Sequence, residues 1–102
     1  MNIRIRTEYG LEFEWDLNKA EENLKAHKVS FNEAKTVFND PFSITIPDSQ
    51  HSFGEYRYID IGRSSTGRIL IVVYTERESS IRIISSRKPT KHERRKYEET
   101  NF

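Results

Sequence analysis

The sequence of 102 residues contains no cysteine, which excludes disulfide bonds, thiolate nucleophiles and zinc sites built on cysteine. Its four glycines are scattered over positions 10, 54, 62 and 67, so no glycine-rich phosphate-binding loop is expected. No stretch approaches the roughly 18 consecutive apolar residues that a membrane span needs. The first ten residues carry Arg4, Arg6 and Glu8 and lack the apolar segment of a signal peptide, so we expect a cytoplasmic protein with no membrane contact.

Motifs of the common hydrolases and metalloenzymes are also missing. The histidines are His27, His51 and His92, and no pair of them has the spacing of metal ligands on one helix. The serines are plentiful, but none lies in the Gly-x-Ser-x-Gly turn that presents a nucleophile. We therefore expect neither a metal nor another cofactor.

Length and composition favour one small domain over residues 1–102. Charged residues make up 32% of the chain and hydrophobic residues 34%, which indicates a small core and a heavily charged surface. From Arg82 onward the chain has seven basic and three acidic residues, although its overall net charge is only +1. This basic end is either a site for a polyanion or a solvated helix with surface ion pairs.

The patterning predicts an α+β fold with an antiparallel sheet, two helices from the N-terminal half packed on it, and a C-terminal helix. Alternating apolar residues indicate strands, and Ser, Thr or Asp before an apolar face indicates the start of a helix. The predicted strands are 3–5, 11–15, 42–46, 55–63, 68–76 and 80–87, and the predicted helices follow Asp16, Ser30 and Thr90.

Three local patterns make this prediction more specific. Capping boxes are expected where Glu33 follows Ser30 and where Glu93 follows Thr90. Residues 69–74 are apolar on both faces, which places that strand in the middle of the sheet. The buried face of the first helix is expected at positions of helical spacing, namely Leu17, Ala20, Leu24 and His27.

Arginines at strand ends suggest a phosphate-binding site. With period-two alternation, Arg63 and Arg87 end two strands separated by one antiparallel strand, so both can face one region at the same end of the sheet. Guanidinium groups bind phosphate in a bidentate manner and keep their charge near neutral pH. The alternative is that these arginines only form cross-strand ion pairs with acidic neighbours such as Glu55, Glu76 or Glu78.

An ordered series of short motifs over about residues 13–99 resembles the BrnT family of bacterial toxins. The matching segments are Phe13-Glu14-Trp15-Asp16, Asn23-Leu24-x-x-His27-x-Val29-Ser30-Phe31, Val37-Phe38-x-Asp40-Pro41, Ile61-Gly62-Arg63-Ser64, Val72-Val73-Tyr74-Thr75-Glu76-Arg77, Ile81-Arg82-Ile83-Ile84-Ser85-Ser86-Arg87-Lys88 and Glu93-Arg94-Arg95-x-Tyr97-Glu98. The segment before Phe13 departs from the family pattern and is given no function.

The resemblance implies a RelE-like fold and endoribonuclease activity in a type II toxin–antitoxin pair. It further implies a BrnA-type antitoxin as partner, RNA as substrate, operator DNA bound through the antitoxin complex, and a possible toxin dimer within that complex. By position, the candidate catalytic residues are Arg63, Arg82, Arg87 and Lys88 for phosphate contacts and Glu55 as an acid or base. The candidate RNA-binding residues are Arg94, Arg95 and Tyr97.

Two alternatives to a nuclease remain open. The same basic face suits a non-catalytic module that binds nucleic acid or an antitoxin, and the basic C-terminal helix suits docking to an acidic protein.

Overall fold

The computed structural model describes residues 2–6, 11–49 and 54–101. The strands of this part are β1 (Asn2–Arg6), β2 (Glu12–Asp16), β3 (Ile44–Pro47), β4 (Arg57–Arg63), β5 (Ile69–Arg77) and β6 (Ser80–Arg87). The α-helices are α1 (Leu17–His27), α2 (Phe31–Ala34), which continues as a 3₁₀ helix (Lys35–Asn39), and α3 (Lys91–Asn101). The predicted strands and helices are therefore all present, with bounds shifted by one to two residues at most of their ends.

The strands form one sheet in the order β1-β2-β6-β5-β4-β3. The β1–β2 pair is antiparallel as predicted, and residues 7–10 between the two strands lie outside the described residues. The prediction of an antiparallel sheet is wrong at one junction, because β2 runs parallel to β6, with Phe13 opposite Ile81. The chain between these two strands is long enough to act as a crossover, and only such a connection allows parallel pairing.

One face of the sheet packs against α1, α2 and the 3₁₀ helix. Strand β5 lies near the middle, as predicted, because Leu70 and Val72 join this core while Ile69 and Ile71 point to the opposite face. The remaining buried members of the helix-covered core are Phe13, Trp15, Val29, Phe31, Ala34, Val37, Tyr74, Ile81 and Ile83. Burial of this apolar surface is the main force holding helices and sheet together.

The opposite face of the sheet carries α3 at one end. Tyr97 of α3 is 3% exposed and packs in a second cluster with Ile61, Ile69 and Ile71. Its hydroxyl donates to Asp40 Oδ2 at 2.7 Å, and the same oxygen accepts from the Arg63 amide at 2.8 Å. Burial alone would raise the pKa of Asp40, but the hydrogen bonds it accepts outweigh burial and hold that pKa below its ordinary value.

The buried face of α1 agrees with the predicted one only in part, because Ala20 packs against the core as expected. Leu24 is 48% exposed, His27 is exposed, and the buried residue of the helix is Asn23. The Asn23 amide donates to Ser86 O at 2.8 Å and to Val29 O at 3.0 Å, and its carbonyl accepts from Ser86 N at 3.1 Å. The β2–β6 pairing ends at Arg82, so the backbone of Ser86 farther along β6 has no β2 residue opposite it. The Asn23 side chain makes the hydrogen bonds that a neighbouring strand would otherwise make there.

Helix starts follow the predicted capping residues. Asp16 accepts from Lys19 N at 3.1 Å, and Thr90 and Glu93 form a complete reciprocal box. At Ser30 only half of the box forms, because Ser30 Oγ accepts from Glu33 N while the Glu33 carboxylate bonds elsewhere. That carboxylate accepts from Arg68, Ser64 and Thr66 at 2.6 to 2.8 Å, which joins α2 to the β4–β5 turn.

The hydrogen bonds that the Glu33 carboxylate accepts should make the free energy of unfolding sensitive to acid. Hydrogen bonds, first of all those from Arg68, lower the pKa of Glu33 to about 2. A carboxyl whose pKa is depressed by folding stabilises the protein above its unfolded-state pKa, and this contribution disappears as the pH falls toward 2. Glu33→Gln should therefore lower the free energy of unfolding at pH 7 by about 1–2 kcal/mol and flatten its pH dependence between about pH 4.5 and 2.

Urea unfolding at several pH values measures this effect. Glu21→Gln is the matched control, because Glu21 is exposed on α1. Equal pH dependence of wild type and Glu33→Gln over that range would contradict the assignment.

Candidate functional site: the basic face of the sheet

A row of polar side chains crosses the sheet on the face opposite the helix-covered core. In the registers of the paired strands, Glu14 lies opposite Arg82, Arg82 opposite Thr75, and Thr75 opposite Arg57. Residues directly opposite each other share one face of a sheet, with about 5 Å between strands. The row therefore places one arginine on each side of Thr75 across the centre of the sheet.

Three residues of this row, Arg57, Thr75 and Arg82, line an open cavity of about 240 Å³. The cavity is lined by Lys19, Glu55, Arg57, Thr75, Arg77, Arg82 and Ile84. Four of these side chains are cations and one is a carboxylate, on a protein whose net charge is +1. A surface that concentrates positive charge in this way attracts phosphate groups.

Acidic partners hold two of these cations in place. Glu55 binds Arg77 in a bidentate manner at 2.7 and 2.8 Å. Glu14 lies 3.5 Å from Arg77 and 3.8 Å from Arg82. The hydrogen bond from Arg77 lowers the pKa of Glu55, so this carboxyl is ionised near neutral pH. An ionised carboxylate cannot act as a general acid, and its pairing with Arg77 weakens it as a base.

The predicted site residues fall into two groups. Arg82 and Glu55 lie at the cavity, whereas Arg63, Arg87 and Lys88 lie at the other end of the sheet near α3. Arg63 and Arg87 share a face and an end of the sheet as expected, because their partners on β5 are Ile69 and Ile71. The structure thus brings two predicted catalytic residues to the cavity and leaves three outside it.

Arg63 and Arg87 both have structural partners. The Arg63 guanidinium donates to Gly67 O at 2.6 Å and lies 6.0 Å from the centre of the Tyr97 ring. Arg87 binds Glu93 at 2.7 and 2.9 Å, and this pairing lowers the pKa of Glu93 to about 2. The Arg87–Glu93 pair joins the end of β6 to the start of α3, and Arg63 connects the end of β4 with the β4–β5 turn and the Tyr97 ring.

On α3, the predicted RNA-binding residues differ in exposure. Arg94 and Arg95 are exposed, and Arg94 lies 3.7 Å from Glu98 one turn along the helix. Tyr97 is buried, so its ring has no open face on which an RNA base can stack. We assign Tyr97 a packing role in place of the predicted contact with RNA.

The sequence analysis did not single out Arg57, Thr75, Arg77 or Lys19. A signal for two of them, Thr75 and Arg77, was available. The short β5–β6 connection sets Arg77 opposite Ser80, and counting back along both strands places Thr75 opposite Arg82. Lys19 reaches the cavity from α1, and its position depends on how that helix packs beside the sheet.

The described residues hold no group of three His, Asp or Glu side chains that could bind a metal ion. His27 and His92 are exposed, and His51 lies outside the described part. Of the helices that the structure describes, none is long and apolar enough to cross a membrane.

An open, cation-lined cavity on the sheet of a small α+β protein is typical of proteins that bind a phosphate polymer. Residues 15–93 match the family described as "Ribonuclease toxin, BrnT, of type II toxin-antitoxin system". The chain therefore belongs to the BrnT family of ribonuclease toxins.

A solved structure supports the fold of this family. The 1.1 Å crystal structure of the Brucella abortus ribonuclease toxin BrnT is similar to this chain, with a TM-score of 0.59 and 20% sequence identity. The similarity covers 76% of this chain and 94% of the Brucella chain. No curated protein sequence matches the chain. The RelE-like classification of the fold stays a prediction.

Proposed function

We propose that this protein is an endoribonuclease toxin that cleaves RNA at the cation-lined cavity without a metal ion. The observation that carries the proposal is the row of Arg82, Thr75 and Arg57 on an open sheet face, in a chain of a ribonuclease toxin family. An RNA phosphate placed over this row meets guanidinium groups from two strands, which suit its oxygens in charge and geometry.

The chemistry that suits this site is attack of the ribose 2′-oxygen on the neighbouring phosphorus. The P–O5′ bond breaks, and the products end in a 2′,3′-cyclic phosphate and a 5′-hydroxyl. The 2′-hydroxyl loses one proton and the leaving 5′-oxygen gains one, so the reaction has no net change in protons. Arg57 and Arg82 stabilise the negative charge that gathers on the phosphate oxygens in the transition state. Glu55 is anionic and bound to Arg77, so we give it no role as an acid.

A non-catalytic binding module is the second candidate function. It is favoured by one observation, namely that the residues lining the cavity in the described part of the chain include no histidine. Histidine is the side chain whose ordinary pKa suits proton transfer at neutral pH. In a cavity without histidine, the positive field can stabilise charge on the phosphate, but water must carry the protons.

The family makes an antitoxin the expected protein partner. We propose a BrnA-type antitoxin that covers the toxin, binds operator DNA as part of the complex, and bridges a toxin dimer. Co-expression with a candidate BrnA-type antitoxin should restore growth and yield a complex that co-purifies.

The test of the nuclease is expression of this chain alone in a bacterial host, followed by incubation of the purified protein with RNA in EDTA. We expect growth arrest and RNA fragments that end in a 2′,3′-cyclic phosphate. Cleavage that EDTA abolishes would refute the metal-free mechanism. Normal growth and intact RNA, with a protein shown to be folded by circular dichroism, would leave the binding module.

A further inference from the structure

Thr75 carries a buried hydroxyl to which the part of the chain that the structure describes offers no partner. The residue is 5% exposed, and Thr75 Oγ1 has no hydrogen-bond partner among the described residues. Buried hydroxyls are nearly always hydrogen-bonded, because they lose their contacts with water on folding. A buried hydroxyl without a partner is therefore a position where a ligand can supply the missing one.

The surroundings of Thr75 indicate what that ligand is. Arg57 and Arg82 are its direct neighbours on β4 and β6, with their Cα atoms roughly 10 Å apart across the two strand spacings. Arginine side chains from both sides can reach one group held over Thr75. Two guanidinium groups and a hydroxyl together suit an anion with several acceptor oxygens, which is the chemistry of a phosphodiester.

We propose that Thr75 Oγ1 donates a hydrogen bond to a non-bridging phosphate oxygen of RNA held between Arg57 and Arg82. The proposal rests on the proposed function and adds to it the contact that positions the phosphate. Thr75 Oγ1 lies below the solvent-accessible surface, so the phosphate reaches it only when side chains around the cavity move apart. Arg77 lines the same cavity, and its side chain is 46% exposed. It can therefore turn aside by giving up its contact with a carboxylate for one with the phosphate.

The test compares Thr75→Val, which keeps the shape and removes the hydroxyl, with Thr75→Ser, which keeps the hydroxyl. The probe is a 2′-O-methyl RNA oligonucleotide, which cannot undergo 2′-oxygen attack, and its dissociation constant is measured by fluorescence anisotropy at several salt concentrations. We expect Thr75→Val to bind about five- to tenfold more weakly with an unchanged salt slope, and Thr75→Ser to bind like wild type. Arg57→Ala should instead reduce the salt slope by roughly one.

Stability separates this role from a merely structural one. Because the hydroxyl has no partner, Thr75→Val should keep or raise the melting temperature while cleavage falls about ten- to hundredfold. Thr100→Val, on an exposed position of α3, is the matched control. Binding by Thr75→Val equal to wild type, or no binding of the probe by wild type, would overturn the proposal. Tight binding with no cleavage of unmodified RNA would instead refute the nuclease and leave the phosphate contact intact.

Discussion

Purified Arg82→Ala is expected to cleave RNA at least about 100-fold more slowly than wild type. Arg82 lies in the polar row between Thr75 and Glu14, and its side chain is 21% exposed, so it acts where water screens charge only partly. Arg82→Lys should recover only part of the activity, because an ammonium group is a point charge that cannot bind phosphate through two parallel hydrogen bonds. The measurement is the initial rate of cleavage of one fluorescent RNA substrate by wild type, Arg82→Ala and Arg82→Lys.

Two comparisons show whether the effect belongs to the cavity. Lys25→Ala removes an exposed cation from α1 away from the cavity and should cleave like wild type. Arg63→Ala removes the exposed arginine at the other end of the sheet and should change the rate less than Arg82→Ala. The reverse order, with Arg63 essential and Arg82 dispensable, would move the active site to the end of the sheet near α3 and refute the cavity as the place of cleavage.

Asn23→Ala is expected to lower the free energy of unfolding by about 3 kcal/mol and the melting temperature by roughly 10–20 °C. The Asn23 side chain makes three hydrogen bonds to the backbone of Ser86 and Val29, and these groups are buried beside it. Alanine leaves the groups without partners and opens a gap between α1 and β6. Asn23→Asp should be severely destabilised at pH 7, because a carboxylate would face two carbonyl oxygens that now accept from the amide.

Asn18→Ala is the matched control on the same helix, since Asn18 is exposed, and it should change the free energy of unfolding by less than about 0.5 kcal/mol. Thermal and urea unfolding followed by circular dichroism measure both variants. A loss of less than about 1 kcal/mol in Asn23→Ala would show that the helix is held by its apolar contacts and not by the amide.

Local patterns were read correctly because their physical causes are local. The N-caps at Asp16, Ser30 and Thr90 depend on residues three positions apart, and the central place of β5 follows from its two apolar faces. Pairings between distant segments were not readable in the same way. The parallel β2–β6 pair joins residues separated by most of the chain, and the burial of Asn23 depends on the free edge that this short pairing leaves on β6.

The sequence by itself determined the α+β fold class, the absence of cysteine, the supply of arginines and the family to which the chain belongs. Tertiary structure decided which arginines share a cavity. Arg82 and Glu55 lie there, with Arg57 and Arg77 beside them, whereas Arg63 and Arg87 fasten α3 to the sheet. Strand period shows the face on which a side chain lies, but the register between strands decides its neighbours across the sheet, and a binding site consists of such neighbours.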